Sequence, residues 1–161
     1  MALTLNDLTV SFSHLPRETL LQDWVWLIGT RRFPILITAL GDAFVQDADD
    51  GSVHLLCAGA GTLSRVSDDV TSFRQLVTDP AFVRDNFAPS VVVNLRDSGR
   101  SVVQGQLYSY RVPPVLGGEY SADNLEPTDI SVHFSLLGQI NQRARDLPEG
   151  TVVSGVHLTD D

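Results

Sequence analysis

The chain has 161 residues, a length that suits one domain with a substantial core better than two domains. It lacks both a membrane-length apolar run and the basic-then-apolar order of a signal peptide, so we expect a cytoplasmic globular protein. Twenty acidic residues against eleven basic ones, all arginine, give a net charge of −9. This balance disfavours direct nucleic-acid binding and favours encounter with a basic protein, although many solvated cytosolic proteins are equally acidic without such a partner.

The first predicted element is an N-terminal helix over residues 16–28. Ser13, Pro16 and Glu18 are typical of a helix start, and Gly29 is typical of an end. Apolar residues at helical spacing indicate a core-facing side: Leu20, Leu21, Trp24, Leu27 and Ile28.

Residues 35–66 predict an antiparallel β meander. Short β-prone runs cover residues 35–40, 43–46, 52–57 and 62–66. Turn residues separate these runs at Gly41-Asp42, at Asp49-Asp50-Gly51 and at residues 58–61.

Residues 69–97 predict a helical middle of three short helices. Val70, Phe73 and Val77 follow helical spacing after acidic residues suited to a helix start. Asp79-Pro80 begins a second helix with an N-cap and a proline at the first position. The valine run after Pro89 fits either a third helix or a strand.

The remaining segment, residues 104–158, predicts an extended run over 104–112, a shaped loop, a helix capped by Thr128 or Asp129, and a last strand over 151–158. Residues 128–146 form either one helix or a strand followed by a helix. Together these elements predict a single α+β domain over residues 1–161. In it, an antiparallel meander sheet carries N-terminal, central and C-terminal helices.

The loop over residues 113–120 is the stretch around which the chain is organised. Prolines fix φ, and adjacent glycines allow conformations closed to other residues. The loop is either a connector or a rigid surface that presents Glu119 and nearby groups to a partner. Its structural residues are Pro114, Leu116, Gly117 and Gly118.

No catalytic or metal-binding constellation is present in the sequence, so we expect no enzyme activity, metal or cofactor. His133 near Asp129 and Glu126 fits a general base, but a structural histidine is the simpler interpretation. Cys57 and His54 lie three apart on a predicted strand and therefore on opposite faces. The aspartates around residues 47–50 lack the spacing of a calcium loop.

The sequence resembles a bacterial family of type VI secretion immunity proteins, whose C-terminal domain was long catalogued as of unknown function. The resemblance runs from about Trp24 to Thr151. It is carried by residues 41–44, 50–51, 105–108, 116–120, 124–129, 132–133, 138–139 and 147–151, which include Gly41-Asp42-Ala43-Phe44 and Leu116-Gly117-Gly118-Glu119-Tyr120.

The resemblance implies a non-enzymatic inhibitor that binds and neutralises a co-produced DNase effector. An acidic surface would then cover the basic DNA-binding face of the nuclease. The predicted partner-binding residues are Glu119, Tyr120, Asp123, Glu126 and Asp129. The alternative is a regulatory module of the bacterial cytosol that binds a peptide or small ligand and has no toxin partner.

Overall fold

The computed structural model describes residues 3–148 and 150–152. Its centre is a five-stranded antiparallel sheet of order β1-β2-β3-β4-β5, a plain meander. The strands are β1 (Thr9–Val10), β2 (Arg32–Thr38), β3 (Ala43–Asp47), β4 (Val53–Cys57) and β5 (Thr62–Ser67). The predicted meander is confirmed, and the short β1 adds a strand that pairs Thr9 with Thr38.

Strand β3 in the middle of the sheet is buried on both faces at Ala43, Phe44 and Val45, which explains its apolar residues at successive positions. Along β3, Ala43 and Val45 face one core while Phe44 faces the other. The first core is completed by Trp24 and by the C-terminal helix. The second core is completed by the helical middle, where Phe44 stacks on Phe87 with ring centroids 5.6 Å apart.

The predicted helix over residues 16–28 is wrong as a continuous element. Only Gln22–Trp24, a 3₁₀ turn, and Val25–Ile28, the short helix α1, are helical. Residues before them form turns closed by bonds such as Gln22 N–H to the Thr19 carbonyl at 3.1 Å. Tertiary packing overrides the helical pattern here, because these tight turns still bury Leu20, Leu21 and Trp24.

Three short helices follow β5, as predicted: α2 (Val70–Leu76), α3 (Pro80–Phe87) and α4 (Pro89–Asp97). The Asp69 carboxylate caps α2 by accepting from Ser72 N–H at 2.7 Å. The helical alternative for the valine run is correct, and Val92 and Leu95 lie in the second core.

A second, two-stranded sheet pairs β6 (Gln106–Tyr110) with β7 (Leu125–Asp129). Tyr108 N–H donates to the Ala39 carbonyl at 2.8 Å, which ties this sheet to the end of β2. Helix α5 (Ile130–Arg145) follows directly, so residues 128–146 are strand then helix. Asp129 occupies the N-cap position of α5, but no side-chain hydrogen bond caps the helix, contrary to the predicted role.

Helix α5 is held against the N-terminal turns by close backbone approach. The Trp24 indole N–H donates to the Phe134 carbonyl at 2.9 Å, and Trp26 donates to the Gly138 carbonyl at 3.2 Å. A Cβ at Gly138 would lie 2.6 Å from the Asp23 carbonyl oxygen, so only glycine allows this contact. The helix ends at Arg145, and Leu147 beyond it is exposed. Of the predicted last strand, Thr151 and Val152 are not in a strand, and 153–158 lie outside the described residues.

Candidate functional site

The loop over residues 113–120 is a compact, preformed surface feature. Pro114–Leu116 forms a 3₁₀ turn, and Gly117 ends it in the left-handed region at φ 96°. Gly118 packs so near the Val112 carbonyl that a Cβ there would overlap it. Both glycines are therefore required by the backbone path, which explains the Gly-Gly pair.

Asn124 fixes this loop to the end of β6. Its side-chain oxygen accepts from Val112 N–H at 2.9 Å, and its amide donates to the carbonyls of Val112 at 2.8 Å and Glu119 at 2.9 Å. One side chain thus bridges both ends of the loop. The loop enters any encounter with its backbone already ordered, which lowers the entropic cost of binding.

The loop and its approaches present apolar side chains to solvent. Tyr120 is 63% exposed, and Val112 and Val115 are also exposed. The Tyr120 ring rests edge-on against Tyr110, with centroids 5.9 Å apart. A partly supported aromatic among polar neighbours is typical of protein interface anchors.

The four acidic residues predicted to bind a partner are all exposed, but they do not form one uniform surface. Glu126 and Asp129 lie three apart on β7 and so face opposite sides of it. Arg111 lies 3.6 Å from Glu126, and Arg100 lies 3.9 Å from Asp123. Local arginines therefore offset part of the negative charge that the sequence suggests.

His133 is a structural residue. It is fully buried, its Nε2 contacts the Gly41 carbonyl oxygen at 2.7 Å, and its Nδ1 contacts the Ser109 hydroxyl at 2.6 Å. A carbonyl can only accept, so Nε2 carries the proton and Nδ1 accepts from Ser109. Burial lowers the pKa of His133 to about 4, which keeps the ring neutral near pH 7.

The sequence interpretation assigned Asp42 to a turn and missed the partly buried environment of its carboxyl. Its carboxyl accepts from Ala58 N–H at 3.1 Å and lies beside the Cys57 side chain. Burial raises the pKa of Asp42 to about 6. Cys57 is half-buried, and burial, followed by the Asp42 charge, raises the pKa of its thiol. His54 turns away and contacts the Ser52 hydroxyl at 2.9 Å.

The described residues show no group of three side chains able to hold a metal. The aspartates at the β3–β4 turn instead accept hydrogen bonds: Asp47 accepts from Asp49 N–H at 2.8 Å, and Asp50 accepts from Ser52 N–H at 2.8 Å.

Three surface depressions lie away from the loop, and the most voluminous of them, about 590 Å³, is lined by β5 and α2 residues. No helix of the described chain is both long and apolar enough to cross a bilayer.

Residues 67–141 match the family model described as "T6SS immunity protein Tdi1, C-terminal". This segment belongs to a type VI secretion immunity family. The matched immunity segment runs from the end of β5 into α5 and contains the loop, Asn124 and His133.

No curated protein matches the chain. One similar solved structure is the "Crystal structure of Atu4351 from Agrobacterium tumefaciens", with 16% identity and a TM-score of 0.48. The match covers 76% of the present chain and spans 64% of the length of that one.

Proposed function

We propose that the protein is a toxin-neutralising immunity protein that acts in the cytoplasm by binding a cognate effector, and that this effector is a nuclease. The main support is the immunity-family match over residues 67–141, a segment that contains the preformed loop over residues 113–120. The protein binds the effector at a fixed ratio and blocks its surface, without changing the effector covalently.

The loop is the proposed centre of the interface. Tyr120 supplies the aromatic anchor, while Glu119, Asp123, Glu126 and Asp129 form a polar rim. The net charge of −9 favours rapid capture of a basic nuclease face and repels the DNA that competes for it.

The test uses the protein product of the gene next to the one encoding this chain. The two purified proteins are mixed, and complex stoichiometry and plasmid cleavage are measured. We expect a 1:1 complex in which cleavage stops. A neighbouring product that cleaves DNA equally well with and without the chain, and forms no complex, would refute the proposal.

Variants locate the interface. Tyr120→Ala should weaken the complex by about 2 kcal/mol or more, as for other central aromatic anchors. Val103→Ala is the matched control, since Val103 is 67% exposed and lies outside the loop. If the two variants bind the effector equally tightly, the interface does not include the loop.

A further inference from the structure

A cluster of four side chains, Asp42, Cys57, Tyr110 and Tyr120, lies where the β2–β3 turn meets the end of β6 and the loop. We name it the Asp42 cluster. Asp42 lies beside the Cys57 side chain, and the ring centroids of Tyr110 and Tyr120 are 5.9 Å apart. A Cβ at Gly59 would lie 2.8 Å from the Tyr110 hydroxyl, so glycine leaves space for that ring beside the β4–β5 turn.

Among the ion pairs of the described residues, none includes the Asp42 carboxylate. All eleven arginines lie among the described residues, and those in ion pairs contact other acids. A carboxylate removed from water without a counter-charge is costly, and its raised pKa reflects that cost. The molecule therefore carries a desolvated anion that an incoming cation would stabilise.

The surroundings suit a cationic side chain. Asp42, Cys57 and Tyr110 each keep part of their surface open, and Tyr120 is mostly exposed. The Tyr110 hydroxyl forms no hydrogen bond to another described residue. Aromatic faces attract guanidinium and ammonium groups, and a carboxylate beside them adds a charge-assisted hydrogen bond.

We propose that the Asp42 cluster is the receptor for an arginine or lysine side chain of the protein partner, with Asp42 as its counter-ion and the two tyrosines as its aromatic walls. This inference rests on the proposed function and specifies where in that interface a basic residue of the effector inserts. It also gives a role to Tyr120, whose ring connects the cluster to the loop.

The first test needs no effector. The probe is capped arginine, with capped citrulline as its uncharged isostere, titrated into the whole protein while NMR follows the tyrosine rings and the Asp42 carboxyl. We expect arginine to shift Tyr110 and Tyr120 signals and to lower the Asp42 pKa, and citrulline to do neither. Equal responses to the two probes would overturn the proposal.

The second test compares Asp42→Asn with Asp49→Asn in binding the neighbouring gene product. Both variants remove one negative charge, but Asp49 is an exposed residue paired with Arg31 at 3.0 Å. We expect Asp42→Asn to weaken the complex by about tenfold or more and Asp49→Asn to change it by no more than about threefold. Unfolding curves show whether the Asp42 variant is folded, which separates lost recognition from lost structure.

The two proposals fail differently. If arginine binds the cluster but the neighbouring protein forms no complex, the proposed effector is wrong and the receptor remains. If the complex forms and Asp42→Asn binds as tightly as the native chain, the receptor assignment is wrong and the immunity function remains.

Discussion

Replacing Asp42 with asparagine should make the protein more stable at neutral pH. The variant keeps an oxygen to accept from Ala58 N–H but never ionises. Burial raises the pKa of Asp42 from an ordinary 3.8 to about 6, so ionising it opposes folding. The stabilising contribution of the protonated carboxyl is complete below pH 3.8 and is lost as pH rises through 6.

The magnitude follows from linkage. A difference between about 6 and 3.8 corresponds to about 3 kcal/mol. The free energy of unfolding of Asp42→Asn, minus that of the native chain, should therefore increase by roughly 2 kcal/mol between pH 4 and pH 7, most of the full difference. Urea unfolding at a series of pH values measures this difference, and contributions from unchanged groups cancel.

Asp69→Asn provides a control of opposite sign. The hydrogen bond from Ser72 N–H lowers the pKa of Asp69, so its ionised form stabilises the fold at neutral pH. The corresponding difference for Asp69→Asn should fall as pH rises. A flat or falling difference for Asp42→Asn would refute the claim that its carboxylate is desolvated and without a counter-charge.

Three further predictions concern the structural groups around the cluster and the loop. His133→Leu should lower the free energy of unfolding by about 2–4 kcal/mol, because it leaves the Gly41 carbonyl without its hydrogen-bond donor. In chemical unfolding, the native chain should gain stability as pH rises from about 4 to 6.5, and the variant should lack this gain. Gly41→Ala should melt far lower than Gly51→Ala, because both have positive φ but only at Gly41 would a Cβ overlap His133; equal melting temperatures would contradict this. Asn124→Ala should speed hydrogen exchange in the loop, with Asn124→Asp intermediate because it keeps one acceptor and loses two donated bonds; unchanged exchange in Asn124→Ala would show that the loop is ordered by other contacts.

The local parts of the fold were determined by sequence patterns of short range. Short β-prone runs separated by turn residues predicted β2 to β5, and Asp79 as N-cap followed by Pro80 predicted α3. The loop was recognised from Pro114, Gly117 and Gly118, because proline restricts the backbone conformation and glycine widens it in any protein. Such signals depend only on residues close in sequence, so they can be recognised without coordinates.

Only tertiary structure decided the elements and sites that depend on distant partners. Strand β1 exists through its pairing with β2, and packing against α5 replaced the predicted helix over 16–28 with tight turns. Asp42 resembled an ordinary turn residue until folding brought Ala58, Cys57 and Tyr110 around it. A pKa and a binding role depend on the groups that enclose a side chain, and those groups come from strands far apart in the chain.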